Sequence, residues 1–197
     1  MLKRTIIVSH SLFLITSCSF NDPSDESVAA TKKTNIGEQN DASALDIEGF
    51  ELLVTHFYNS DLETSTSGPV SLHIEKAMVS SGAFKGELFE MFKEESVDYI
   101  QVDVWIENTS NEDITFYADS PVIALNTGEQ LNPEYLLSDI IDTTMLAHTK
   151  RHASLIFIFD FSEVSEIESV RIKWEAPYQE DTMDELGEEI DTTIVFY

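Results

Sequence analysis

The densest set of potential ligands is the run EAPYQEDTMDELGEEID, residues 175–191. It offers carboxylates at Asp181, Asp184, Glu188 and Asp191 among others, with Gly187 between them. Hard cations such as calcium take several oxygen ligands from a flexible loop, which makes this run the candidate divalent-ion site. Aligning Gly187 with the invariant glycine of an EF-hand loop, however, puts Thr182 first and Thr193 last, and neither is a carboxylate. The expectation is a solvated acidic loop with no cofactor and no assigned metal. His148 and His152 in HTKRH stand at i and i+4, a spacing that holds zinc on a helix. Lys150 and Arg151 lie between them, and the segment runs into a strand pattern, where such residues are about 13 Å apart. They read as exposed histidines beside a turn. Neither a Gly-x-Ser-x-Gly elbow nor a phosphate-cradling glycine loop is present. With no catalytic residues to assign, an enzyme is not expected.

Cys18 is the single cysteine of 197 residues, so the chain has no internal disulfide to make. It follows Lys3, Arg4 and an apolar stretch, Ile6 to Ile15, in the layout of a secretory signal. That stretch is about half the roughly 20 residues that span a bilayer. The site ITSC resembles the bacterial lipobox, with small residues Thr16 and Ser17 before a thiol that receives diacylglycerol. Cleavage is expected between Ser17 and Cys18. Residues 1–17 then form a lipoprotein signal peptide, and Cys18 is the lipid-attachment residue that fixes the protein to the cell membrane on its extracellular face. Two or three acyl chains anchor firmly, whereas a single chain such as one palmitate holds marginally.

Between Cys18 and residue 47 the sequence is rich in Ser, Asp, Asn and Ala and poor in large apolar residues. Such a stretch buries too little surface to offset its ordering entropy, so residues 18–47 read as a flexible linker. A tether of that length has a root-mean-square span of about 30 Å. The whole chain carries 37 acidic and 11 basic residues, a formal charge of −26 that becomes −28 once Lys3 and Arg4 leave with the signal. Such a charge repels nucleic acid and anionic head groups. With 42% hydrophobic residues there is apolar material for one core.

The remaining residues, 48–197, alternate as strands. PVSLHI puts Val70, Leu72 and Ile74 on one face. IQVDVWIEN puts Ile100, Val102, Val104 and Ile106 inward and Gln101, Asp103 and Glu107 outward, and VRIKW repeats the pattern. SLIFIF, residues 154–159, is apolar on both faces and suits a central strand. FELLVTHFY, residues 50–58, reads as an additional strand or a short helix, with the strand favoured, and IDTTIVF is a weaker strand candidate. ENTSNED, NTGEQ and APYQED are turn-rich breaks at sandwich-like intervals. AFKGELFEMFKEE spaces Phe84, Leu88, Met91 and Phe92 as one face of a short helix between strands.

GPVSLHIEK, DYIQVDVWIENTSNEDITFY, ALNTGEQL, LIFIF and VRIKWEAP together resemble a family of extracellular, often lipid-anchored proteins of Gram-positive bacteria. Its domains are often labelled telomeric repeat-binding factor 2-like, a label that does not imply DNA binding. The resemblance covers about residues 50–197. It implies an all-β, immunoglobulin-like antiparallel sandwich and an extracellular location, and it brings no activity and no catalytic residues. The expected function is a non-enzymatic, lipid-anchored binding or interaction module, whose partner is an envelope protein or wall polymer. The alternative is a divalent-ion-binding accessory lipoprotein that uses the acidic C-terminal loop.

Overall fold

The computed structural model describes residues 47–60 and 62–196. The expected signal peptide, its expected cleavage site at Ser17 and Cys18, and most of the expected linker lie outside them. In chain order the elements are β1 (Phe50–Ser60), β2 (Thr64–Ser67), β3 (Val70–Phe84), α1 (Gly86–Phe92), β4 (Ser96–Asn108), β5 (Ile114–Thr115) and β6 (Val122–Leu125). There follow β7 (Gln130–Leu131), β8 (Thr144–Met145), β9 (Lys150–Ile158), β10 (Ser169–Trp174), β11 (Tyr178–Gln179) and β12 (Ile190–Val195). Among the described residues these strands form three antiparallel sheets. A five-stranded sheet runs β1-β3-β4-β9 with β2 also on β3, a four-stranded sheet runs β12-β10-β6-β7, and a small one runs β11-β5-β8. The protein is an all-β sandwich, with one short α-helix among the described residues.

The alternating residues explain the packing. Leu72, Ile74, Val102 and Val104 from the large sheet meet Ile123, Val170, Ile172 and Trp174 from the second, all at most 2% exposed. The Trp174 indole donates to the Ala118 carbonyl at 3.1 Å, which satisfies its polar end inside the core. Asn108 closes β4, as the ENTS stretch implies. Its side chain donates to the carbonyls of Glu112, Met145 and Leu146 and accepts from the Ser110 amide and hydroxyl. Gly128 takes φ +94° in the turn between β6 and β7, the left-handed conformation expected of that glycine.

Three local expectations are corrected. SLIFIF lies in β9, whose strand partner is β4 alone, so it is an edge strand rather than a central one. It is nonetheless covered, because residues 134–139 run along its open side. The amides of Glu134 and Asp139 donate to the carbonyls of Ile156 and Ser154 at 2.7 and 2.9 Å, while Ile156 and Ser154 donate to the Ser138 and Asp139 side chains. The helical face also differs: Phe84 ends β3, and Met91 is 58% exposed. Leu88, Phe89 and Phe92 pack instead on a second apolar cluster, Phe50, Phe84, Val97, Tyr99, Leu137 and Ile156, on the outer side of the large sheet. Phe92 stacks on Phe84 with ring centroids 4.5 Å apart. Finally, Gln101 and Asp103 point outward as expected yet are 1% and 3% exposed.

Candidate functional site

Among the described residues, the carboxylates singled out in the sequence do not bring three ligand atoms within reach of one ion, although Glu188 and Asp191 line the same cavity. Asp191, on β12, accepts from Arg171 on β10 through both oxygens, Nε to Oδ1 at 2.8 Å and Nη2 to Oδ2. This pairing outweighs the cost of desolvation and holds the Asp191 carboxyl below its ordinary value. Asp184 is bonded by the Thr182 hydroxyl at 2.8 Å, in a turn where Met183 has φ +61°. Asp181 is exposed in the same turn. Glu188 offers its backbone carbonyl to the Ser67 hydroxyl and, with Glu175, Glu185, Glu189 and Asp191, lines an open cavity of about 490 Å³. Gly187 has a packing reason to be glycine: a Cβ there would sit 2.5 Å from the Gly68 nitrogen, where two backbones cross. His148 and His152 have separate partners, Asn111 and Glu75.

Among the described residues, the one group of three ligand-type side chains within mutual reach is Glu75, Asp103 and His152, their ligand atoms within 4.8 Å of one another. It lies on the outer face of the large sheet, and a β-bulge makes it. The pairing of β3 with β4 steps from Ile74↔Val104 to Lys76↔Asp103, so Glu75 is the extra residue. Without the bulge, Glu75 would stand opposite Asp103, carboxylate against carboxylate. With it, Lys76 takes that place and its ammonium lies 2.9 Å from Asp103 Oδ2. Asp103 Oδ1 accepts from Gln101 Nε2 at 2.8 Å. Both carboxylate oxygens are therefore engaged, one of them by the Lys76 ammonium. No buried side-chain nitrogen or oxygen among the described residues lacks a partner. The trio is a satisfied ion-pair network and fits a metal poorly.

Beside this network the register lines up Thr64, His73, Trp105 and His152 across β2, β3, β4 and β9. The Trp105 and His152 rings are 4.8 Å apart at 54°, and His152 Nε2 lies 3.1 Å from Glu75 Oε2. Lys150 Nζ stands 4.8 Å from the Trp105 ring centroid. Thr64, Ser71, His73, Trp105, Glu107 and Lys150 line a cavity of about 340 Å³. The sequence reading missed this surface. Its signal was the break in alternation after Ile74, where the next core residues are Ala77 and Val79 instead of residues 76 and 78.

Two further polar constellations bear on chemistry. His56, Ser81 and Asp98 form a chain: the Ser81 hydroxyl donates to Asp98 Oδ1 at 2.6 Å, and His56 Nε2 is 2.9 Å from the Ser81 oxygen. The hydroxyl sits between imidazole and carboxylate. A nucleophilic triad needs the imidazole in the middle, to take the hydroxyl proton while the carboxylate orients its other nitrogen. Glu129, 1% exposed, accepts the amides of Asp160, Phe161 and Ser162 at 2.5 to 3.2 Å. Burial pushes its carboxyl up, but these amides and the Ser162 hydroxyl together outweigh burial and hold it below the usual 4.5. Burial pushes the Tyr99 phenol up to about 12, against a weaker opposing hydrogen bond with Ser80.

Comparison with known proteins agrees with the architecture. No family model matches the sequence. The chain is 26% identical over 177 residues to the SPbeta prophage-derived uncharacterized lipoprotein YonS of Bacillus subtilis strain 168, covering 88% of this chain and 81% of that one. A crystal structure of a functionally unknown protein from Listeria monocytogenes EGD-e superposes with a TM-score of 0.52 at 11% identity, over 75% of this chain and 87% of that one. The second likeness is one of fold. Among the described residues no helix is long and apolar enough to cross a membrane.

Proposed function

We propose that this chain is a lipoprotein of the cell envelope, held at the extracellular face by lipid on Cys18, with residues 18–47 as linker. Its immunoglobulin-like sandwich serves as a non-enzymatic binding module. The lipobox-like ITSC and the likeness to YonS, an uncharacterized lipoprotein, support the anchor. The inverted order of His56, Ser81 and Asp98 supports a role other than acyl transfer. The observation that carries the binding reading is the row Thr64–His73–Trp105–His152. It presents a half-buried tryptophan edged by Lys150 on a central strand of the sheet, with polar side chains around it, in a chain of charge −26.

Two experiments test this. Palmitate labelling of growing cells is expected to mark the wild-type protein and to disappear in Cys18→Ala; persistent labelling overturns the anchor. A photo-reactive residue at Ser71, on the tryptophan face, is expected to capture an envelope component on intact cells, and Trp105→Ala is expected to abolish that capture. The same residue at Thr193, exposed on the far sheet, is expected to capture nothing. Equal capture from both faces, or none from Ser71, removes this surface as the contact.

A further inference from the structure

We infer that Trp105 is the stacking platform of a saccharide subsite that takes one neutral pyranose ring of a glycan. The inference rests on the reading of this sheet face as the contact surface and adds the chemistry of what it contacts. A pyranose ring presents an apolar C–H face and a belt of hydroxyls, each of which both donates and accepts hydrogen bonds. The cavity wall supplies both halves of the complement. Trp105 gives a flat apolar surface, and around it stand the hydroxyls of Thr64 and Ser71, the Glu107 carboxylate as acceptor, the Lys150 ammonium as donor and the His73 imidazole. At about 340 Å³ the cavity lies within the range of small-ligand clefts, about 300–1,000 Å³.

Other ligand classes fit the same wall less well. An anion would meet Glu107 at short range and a chain of charge −26 at long range. A cation would meet Lys150. A purely apolar ligand would strip water from Ser71, Glu107 and Lys150 without replacing their hydrogen bonds, while Thr64 and His73 keep the bond they share. A neutral polyol answers each of them.

The platform is also held in place before anything binds. Cross-strand pairing fixes Trp105 between His73 and His152, the His152 ring packs against the indole, and Glu75, the bulge residue, tethers that ring. A rigid first contact lowers the ordering cost of binding. Lys150 is the movable part. Its exposed contact with the ring is weak, so an arriving sugar face displaces the ammonium, which then turns to a ring hydroxyl.

The sequence supplies its own reporter, since Trp105 and Trp174 are the two tryptophans. Trp174 is 1% exposed and bonded to Ala118, so a change in emission on titration reports Trp105. Titration of the folded protein with chitotetraose and with cellotetraose is expected to give a saturable emission change with at least one of them. Trp105→Phe is expected to weaken binding at least about fivefold by loss of stacking area, and Glu107→Gln about tenfold. Both variants should melt as cooperatively as the wild type, so the loss is not one of folding. Inorganic phosphate is expected to produce no change. Saturation by phosphate without saturation by either tetrasaccharide would make this an anion subsite and overturn the inference. No response to either sugar overturns it as well. If Ser71 cross-links still capture an envelope component in that case, the contact surface stands and only its saccharide chemistry falls; if they do not, both fall together.

Discussion

The Glu129 carboxylate shows how one side chain fixes a distant loop. It follows Gly128 in the turn after β6, and NTGEQ reads in sequence as an ordinary solvated turn. The glycine was legible there because a tight turn asks for positive φ. The inward carboxylate was not, because the amides that receive it belong to residues 160–162, which no local pattern connects to residue 129. A carboxyl held below its unfolded value adds stability above that value and loses it as the native group protonates. The contribution is therefore full above about pH 4.5 and disappears as pH falls through the lowered native value. Glu129→Gln is expected to cost about 2 kcal/mol at neutral pH, through loss of charge-assisted hydrogen bonds. It should also flatten the melting-temperature profile below about pH 4.5, where the native carboxylate protonates. A variant profile parallel to that of the wild type across this window would remove Glu129 from the acid response.

Among the elements, β4 was legible almost residue by residue, since Ile100, Val102, Val104 and Ile106 alternate without interruption and all are fully buried. β3 was legible only as far as Ile74. The bulge at Glu75 shifts the core set to Ala77 and Val79, and a period-two search ends where the period slips. The same slip brings Lys76 to Asp103, a pair 5% and 3% exposed. Removing one member of such a pair strands a buried charge, whereas removing both leaves no charge but takes the acceptor from the buried Gln101 amide. Lys76→Met is expected to destabilise the fold by about 3–5 kcal/mol in urea unfolding, and Lys76→Met with Asp103→Leu to recover part of that loss. Additive losses in the double variant would show that the bulge and its ion pair do not act as a unit. The edge position of β9 was hidden for a related reason. Its far side is covered by the irregular segment 134–139, which carries no strand pattern to be seen.

At the level of the molecule, the antiparallel sandwich followed from the number and spacing of alternating segments, but the third small sheet and the strand order did not. Pairs such as β4 with β9 join segments far apart in the chain, and their choice depends on turns and long-range packing that periodicity does not encode. The charge of −26 was legible, and the structure shows where part of its C-terminal share is paired. Asp191 is bound to Arg171, Glu189 lies 2.7 Å from Lys173, and Asp184 is bonded to Thr182. Calcium at about 1 mM is therefore expected to move the melting temperature no further than sodium chloride of matched ionic strength. A calcium-specific rise would place an ion site in the acidic loop. The crossing of Gly68 and Gly187 has a consequence in time. Ser67 and Glu188 meet across a separation of 121 residues, and β12 completes its sheet beside β10. While the chain is being made or threaded from its N-terminus, the early hairpin of β2 and β3 waits for almost the whole remaining sequence. The seam between that hairpin and residues 187–188 closes only after those residues have emerged, so this edge of the sandwich stays open until synthesis is nearly done.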